Sequence, residues 1–165
     1  MIIEENKADI ISISFVDLLT NLTYYTEEQR KQILVTVLVD NFWKIKPEMS
    51  QAHRVRTVMQ NYYLQDKGAF NLTEDGKIHI NIDKVAPAAK EMLNEIIRIQ
   101  LDNDIEEAKN YINKYFIWTN VIEIIGQKLQ KLSSVLNCVL EHVKWKLNII
   151  SIKNRLFYKF VIFWF

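Results

Sequence analysis

Glycine and proline are scarce in this chain: three glycines and two prolines occur among 165 residues. Sandwiches and Rossmann-type sheets use these residues at many tight turns, whereas helical proteins need few of them. The long stretches between them are rich in Ile, Leu, Lys, Glu and Asn. We therefore predict a mainly α fold, a helical domain of about six helices with one small β-hairpin.

Apolar residues at helical spacing locate the predicted helices. The first covers about 8–22, where apolar residues occupy more than one face. Thr26 and Gln29 predict a capping box for the second helix, which extends toward Trp43. The third helix is predicted over 48–67. The N-caps of the last three helices are predicted at Asp83, Asn103 and Asn120.

A short alternating segment predicts the hairpin. Phe70 and Leu72, then Ile78, Ile80 and Ile82, alternate with polar residues on the two sides of Glu74-Asp75-Gly76. This pattern is typical of two strands joined by a tight turn. Two strands alone are marginally stable, so we expect the hairpin to lie on helices.

The last predicted helix has an apolar seam that supports two interpretations. A seam of fewer than three heptads more often seals the core of its own domain than binds a partner. The alternative function class, a small helical protein-interaction module with no catalytic activity, depends on this seam. Its residues alternate at spacings of three and four: Ile122, Ile125, Leu129, Leu132, Leu136 and Val139.

Charge and cysteine content exclude several classes of function. Residues 1–141 carry 16 basic and 20 acidic groups, a net charge of −4, which argues against nucleic-acid binding by this part. The single cysteine, Cys138, excludes an internal disulfide and a multi-thiolate zinc site. No secretory signal is visible at the N-terminus, so a cytoplasmic location is expected.

The composition changes after Glu141. Five basic residues and many aromatic residues follow, and no acidic residue does. We therefore divide the chain into a helical unit, 1–142, and an aberrant basic aromatic tail, 143–165. No uninterrupted apolar stretch of the tail approaches the roughly 18 residues needed to cross a bilayer, and Lys159 lies inside the longest one. It is either a frame-shifted end or a segment that lies at a membrane surface.

Two carboxylates near the N-terminus form a candidate metal site. Glu5 and Asp9 lie one turn apart on a helix, where like charges repel unless a cation or a hydrogen-bond donor lies between them. One carboxylate can bind a metal while the other orients a neighbouring ligand. The simpler interpretation is that acidic residues in a first turn complement the helix dipole.

His53 is the candidate histidine. Arg54 and Arg56 follow it, and all three side chains can donate hydrogen bonds to a carboxylate or a developing oxyanion. The alternative is a surface histidine with solvated arginines. His79 is predicted to be solvent-exposed. The chain has no paired-histidine zinc helix, phosphate-binding loop or nucleophile elbow, so by itself it has no complete active site.

The order of several motifs adds information that no single motif contains. Over about residues 3–142 the chain resembles the C-terminal part of the dipeptidyl-peptidase III family of zinc metallopeptidases and its shorter bacterial relatives. The motifs that carry the resemblance are Glu4-Glu5-Asn6-Lys7-Ala8-Asp9, Gln51-Ala52-His53, Asp75-Gly76-Lys77, Asp83-Lys84, Ile97-Arg98-Ile99-Gln100, Asp102-Asn103-Asp104, Glu107-Ala108 and Tyr111.

The resemblance implies a zinc cofactor in the intact enzyme. Glu5 then corresponds to the zinc-ligand glutamate, while Glu4 and Asp9 correspond to carboxylates that support the ligands from outside. In this family a helix with two zinc-binding histidines and the catalytic glutamate precedes the glutamate motif. This chain begins almost inside that motif. We therefore expect a C-terminal fragment that is inactive alone.

The resemblance also implies a peptide substrate. His53 corresponds to a catalytic histidine that helps to hold the substrate and the transition state. Arg54 and Arg56 are its predicted substrate-binding neighbours. Peptide hydrolysis is the implied reaction of the intact enzyme, and the oligomeric state is left open.

Overall fold

The computed structural model describes residues 2–132. The mainly α fold with one two-stranded antiparallel hairpin is confirmed. A further helix, α7, covers 120–132, up to the last described residue. The other elements are α1 (Ile2–Ser14), α2 (Val16–Asn21), α3 (Glu27–Asp40), α4 (Ala52–Asp66), β1 (Phe70–Leu72), β2 (Ile78–Ile80), α5 (Ile82–Asp102) and α6 (Ile105–Tyr115).

The first helix begins earlier than predicted and is interrupted. It starts at Ile2, because Ile3 and Asn6 already pack into the interior. The acidic motif therefore lies on the helix itself. The hydroxyl of Ser14 donates to the carbonyl of Ile10 at 2.5 Å, a bond that bends helices, and the chain then continues as α2.

The second and third predicted helices correspond to α3 and α4, and both are shorter than predicted. The capping box of Thr26 and Gln29 is confirmed, but α3 ends at Asp40 rather than near Trp43. The prediction that the next helix starts at 48 is wrong, since α4 begins at Ala52. Residues 48–50 are exposed, whereas Ala52 is the first buried position of α4. The helix begins where tertiary packing begins.

The three later N-caps are wrong by a residue or two. Asn81, not Asp83, is the N-cap of α5, and Asp83 pairs instead with Arg30 at 3.2 Å. Asn103 ends α5 in a left-handed conformation, φ 50°, which asparagine tolerates well. The N-cap of α6 is Asp104 rather than Asn103, and its side chain accepts a hydrogen bond from Glu107 N. The N-cap of α7 is Thr119 rather than Asn120, and its side chain accepts a hydrogen bond from Ile122 N.

The core lies between α1, α4 and α5, with α3, α6, α7 and the hairpin around it. In the hairpin Phe70 pairs with Ile80, and Phe70 packs edge-on against Phe42 with ring centroids 5.3 Å apart. Ile82, predicted to continue the alternation of the second strand, is instead the first residue of α5. Two large apolar side chains of α5 and α6 are exposed: Ile97 by 39% and Ile105 by 70%. The largest fully buried side chains are Tyr63, Phe70, Ile10, Ile13, Leu34, Leu38, Met59, Leu64, Met92, Ile96, Ile122 and Ile125.

The first half of the predicted seam on α7 is part of this core. Ile122 and Ile125 are fully buried, and Leu129 packs partly against the core. The predicted partner-binding role therefore does not fit these residues, which are already covered. Leu136, Val139 and the predicted tail, 143–165, lie outside the described residues. Within 2–132, no helix is long and apolar enough to cross a membrane.

Candidate metal and substrate site on α1 and α4

Packing of α1 on α4 brings two predicted site residues together. Oε2 of Glu5 lies 3.0 Å from Nδ1 of His53. The Glu5 side chain is 31% exposed and the His53 side chain 76% exposed. A carboxylate on Nδ1 orients the ring and leaves Nε2 as the nitrogen that can meet a ligand. The pair therefore lies at an accessible edge between the two helices.

A second contact lies one turn further along the same two helices. Asp9 forms an ion pair with Arg56, whose side chain is only 17% exposed. Nε of Arg56 is buried and has no hydrogen-bond partner within the described part of the chain. Each of the two like-charged carboxylates thus has its own partner on α4: His53 for Glu5 and Arg56 for Asp9.

Two other predicted site residues point elsewhere. Glu4 pairs with Lys7 at 2.9 Å and accepts a hydrogen bond from Gln100 on α5. The guanidinium of Arg54 lies over the ring of Trp43, 4.4 Å from its centroid. The structure therefore groups Glu5, Asp9, His53 and Arg56 and places Glu4 and Arg54 outside this group.

A buried chain of amides beneath the site was missed by sequence reasoning. Nε2 of Gln60 donates to Oδ1 of Asn6 at 2.9 Å, and Nδ2 of Asn41 donates to Oε1 of Gln60 at 2.8 Å. Asn61 donates to the backbone carbonyl of Asn41 at 2.9 Å. These contacts fix α1 against α4. The available signal was Gln60-Asn61 inside the otherwise apolar stretch 58–64.

An open groove of about 730 Å³ lies beside the site, between α1 and the junction of α5 and α6. Its polar lining includes Glu4, Lys7 and Gln100, and its apolar lining includes Ile99, Ile105 and Ile112. Glu5 and His53 do not line it. The groove and the Glu5–His53 pair are separate features of this surface.

The donors of this site fit part of a zinc site. A catalytic zinc takes about three protein ligands and one open position. Glu5 offers a carboxylate of the correct chemistry at an accessible position. Among residues 2–132, however, no three His, Cys, Asp or Glu side chains are grouped so that they could hold a metal ion. The described residues thus provide a carboxylate of zinc-ligand chemistry at Glu5, but no group of three such side chains around it.

Comparison with known proteins defines the class of the fold. No protein-family model matches the chain. A DPP III structure from Caldithrix abyssi matches with a TM-score of 0.68 and 28% identity, over 78% of this chain and 25% of that one. The dipeptidyl-peptidase III structure from Corallococcus sp. strain EGB gives a TM-score of 0.69 at 23% identity, over 79% and 24%. The described fold is therefore dipeptidyl-peptidase III-like.

A curated relative has a different name. Nudix hydrolase 3 of Arabidopsis thaliana is 27% identical over 128 residues, which are 78% of this chain and 17% of that protein. The chain thus spans about a quarter of each solved structure and a smaller share of the curated relative. The similarity to dipeptidyl-peptidase III is confirmed for the fold, while the zinc ligand and the activity stay predictions.

Proposed function

We propose that this chain is the C-terminal helical part of a dipeptidyl-peptidase III-like zinc metallopeptidase, which hydrolyses peptide bonds when complete. The observation that carries the proposal is the 3.0 Å contact between Glu5 and His53, two residues matched to functional positions by the sequence resemblance. The fold, which matches about a quarter of two dipeptidyl-peptidase III structures, supports it.

In this proposal Glu5 is one zinc ligand of the complete site. Bound zinc supplies Lewis acidity toward the peptide carbonyl and lowers the pKa of a bound water. Asp9 acts indirectly, because its ion pair with Arg56 holds α1 against α4. Glu4, through Lys7 and Gln100, holds α1 against α5. Both carboxylates then support the position of Glu5.

His53 is the proposed substrate-side residue. Its ring is largely exposed. In the doubly protonated form, Nδ1 donates to Glu5 and Nε2 can donate a hydrogen bond to a substrate oxygen that gains negative charge. Arg54 is exposed and stacked on Trp43, which suits a cation that pairs with a peptide carboxylate. The remaining zinc ligands would come from a paired-histidine helix that these residues do not contain. The chain alone should therefore be inactive.

Zinc titration of the purified chain tests the ligand assignment. We expect weak zinc binding in calorimetry that Glu5→Gln abolishes. The matched control is Glu106→Gln, a change at an exposed glutamate in the first turn of α6, which should leave binding unchanged. Weak binding that survives Glu5→Gln would remove Glu5 as a ligand. Tight stoichiometric zinc with peptide turnover by the chain alone would refute the incomplete-site proposal.

Complementation tests the reaction. The chain is co-expressed with a Caldithrix DPP III from which the matching quarter has been deleted, and release of dipeptides from a chromogenic peptide amide is measured. We expect activity with the wild-type chain and none with Glu5→Gln or His53→Ala. A co-purifying complex that stays inactive would contradict the peptidase proposal.

A further inference from the structure

A buried polar contact joins α1 to α4 beneath the Glu5–His53 pair. Asn6 and Gln60 are both fully buried, and Nε2 of Gln60 donates to Oδ1 of Asn6 at 2.9 Å. Asn6 directly follows Glu5 in α1. A shift of Asn6 relative to α4 therefore also shifts Glu5.

The Glu5–His53 contact cannot align the two helices by itself. The Glu5 side chain is partly exposed and the His53 side chain is largely exposed. Ion pairs at such surface positions contribute little to stability. The alignment that brings these two side chains together must therefore come from other contacts.

The ion pair of Asp9 with Arg56 also tolerates movement. Its Asp9 side is 42% exposed. The long arginine side chain can follow a displaced carboxylate, whereas the short side chain of the buried Asn6 cannot follow a displaced amide. The contact between Asn6 and Gln60 is thus the one that restricts α1 most closely.

Gln60 is held from its other side as well. Nδ2 of Asn41 donates to Oε1 of Gln60 at 2.8 Å, and the carbonyl of Asn41 accepts from Nδ2 of Asn61 at 2.9 Å. Asn41 is the C-cap of α3, and its backbone N–H bonds to carbonyls in the last turn of that helix. Because Oε1 is occupied by Asn41, Nε2 is the atom of the Gln60 amide that is directed to α1.

Stability alone does not account for amides at these positions. Nδ2 of Asn6 is buried and has no hydrogen-bond partner among residues 2–132. A buried donor without a partner is unfavourable, and apolar side chains in place of both partners of a buried hydrogen bond can be neutral or stabilising. Other interior positions of the two helices are apolar, as at Ile3, Ile10 and Met59. The amide contact is therefore better explained by the geometry that it specifies.

Buried amides specify how two helices are aligned. Apolar side chains can fill several alignments of α1 on α4 at similar cost, whereas a buried amide network is satisfied in one. A single buried asparagine fixes the register of some coiled coils in the same way. The contact between Asn6 and Gln60 thus selects the alignment in which Glu5 lies beside His53.

We propose that Gln60 is a positioning residue. Its contacts with Asn6 and Asn41 set the alignment of α1 on α4 and so hold Glu5 3.0 Å from His53. Gln60 acts through Asn6 and takes no direct part in chemistry. The importance of this alignment for catalysis rests on the proposed function.

A triple variant of the full chain tests the proposal. Asn6→Leu, Asn41→Leu and Gln60→Met together replace the three side-chain amides that bond one another by apolar groups of similar size. No buried side chain then loses its partner, so the variant should unfold at about the same denaturant concentration as the wild type. We expect it to lose the contact between Glu5 and His53. A merely structural role predicts the reverse, lower stability with the contact retained.

The readout is the position of the proton on the His53 ring, measured by nitrogen NMR at about pH 8, where an ordinary histidine is neutral. A carboxylate at Nδ1 keeps the proton on that nitrogen. Glu5→Ala gives the chemical shift without the carboxylate, His53→Gln assigns the signal, and the exposed His79 is the internal reference. In the triple variant the His53 shift should move at least halfway from the wild-type value to that of Glu5→Ala.

Two further variants complete the test. Asn6→Ala is milder, removes only the acceptor on α1, and should move the His53 shift in the same direction. Gln65→Met is the matched control, because Gln65 also lies on α4 but accepts from Thr119 and not from α1. It should leave the His53 shift unchanged.

A folded triple variant with the wild-type His53 shift would overturn the proposal. If that variant does not fold, a wild-type shift in Asn6→Ala would overturn it instead. An equal change of the shift in Gln65→Met would also do so, because the effect would then be a general loosening of α4.

The complementation assay separates this proposal from the peptidase proposal. The triple variant should still co-purify with the truncated enzyme, but its kcat should fall at least about 10-fold, because a small misplacement of a catalytic group is costly. Full activity of a triple variant that has lost the His53 contact would overturn the link between alignment and catalysis. An inactive wild-type complex contradicts the peptidase proposal alone, since the alignment is judged by the His53 shift.

Discussion

The hydroxyl of Tyr63 donates a hydrogen bond to Oε1 of Glu95 at 2.9 Å and so joins α4 to α5. Tyr115, on α6, donates to the other oxygen of the same carboxylate at 3.2 Å. Tyr111 packs edge-on against Tyr115, with ring centroids 4.8 Å apart. Three helices therefore meet at one carboxylate, and the three tyrosines around it lead to two predictions.

The first prediction concerns alkaline pH. Burial raises the pKa of Tyr63, Tyr111 and Tyr115 above the ordinary value of 10.0. As the pH rises, the unfolded chain loses these phenol protons before the folded chain does. The free energy of unfolding is therefore unaffected below about pH 10 and falls above it, by up to about 1.4 kcal/mol per pH unit for each tyrosine. Urea unfolding at several pH values measures this fall.

The control is Tyr24→Phe, at a tyrosine that is 73% exposed. It should leave the slope of stability against pH unchanged, whereas Tyr63→Phe should reduce it. Equal slopes for wild type and Tyr63→Phe would show that Tyr63 does not contribute.

The second prediction compares two Tyr→Phe changes. The hydroxyl of Tyr111 is buried and has no hydrogen-bond partner among residues 2–132. Tyr111→Phe should raise the free energy of unfolding by about 1 kcal/mol, while Tyr63→Phe, which removes a donor to Glu95, should lower it by about 1 kcal/mol. Chemical denaturation measures both. A loss of stability in Tyr111→Phe would indicate a partner for that hydroxyl.

The third prediction concerns the amides beneath the site. Gln60 is fully buried and bonds to both Asn6 and Asn41. Gln60→Leu leaves two buried amide groups without these partners and should lower the free energy of unfolding by about 3 kcal/mol. Hydrogen exchange of α1 should become faster, because its attachment to α4 is weakened. The exposed change Gln127→Leu should do neither, and unchanged exchange in α1 would contradict the positioning role.

The fourth prediction concerns the approach of α7 to the segment after α3. A β-carbon on Gly126 would overlap the backbone carbonyl of Trp43. Backbone atoms cannot move aside as a flexible side chain can, so Gly126→Ala should destabilise the fold by about 2–3 kcal/mol. The neighbouring change Gln127→Ala is the control. Equal stability of the two variants in denaturant unfolding would contradict this close approach.

Local features were predicted well because neighbouring residues decide them. The capping box of Thr26 and Gln29 needs only contacts three residues apart, and it is present as predicted. The hairpin around Gly76 depends on strand alternation and a turn, both local. The exact caps were missed where two polar residues adjoin, as at Asn103 and Asp104, because the choice depends on how the preceding helix ends.

The sequence alone determined that the chain is mainly helical, where most helices lie, and which carboxylates and histidine are candidates for chemistry. The helices follow from helix propensity and apolar spacing within single segments, whereas the candidate residues follow from the positions of charged side chains and from the resemblance in motif order. Only the tertiary structure decided that Glu5 meets His53 while Glu4 turns to Gln100, and that Ile122 and Ile125 of the predicted seam are buried in the core. These outcomes depend on which helix faces pack together, and that choice is made by burial across residues far apart in the chain.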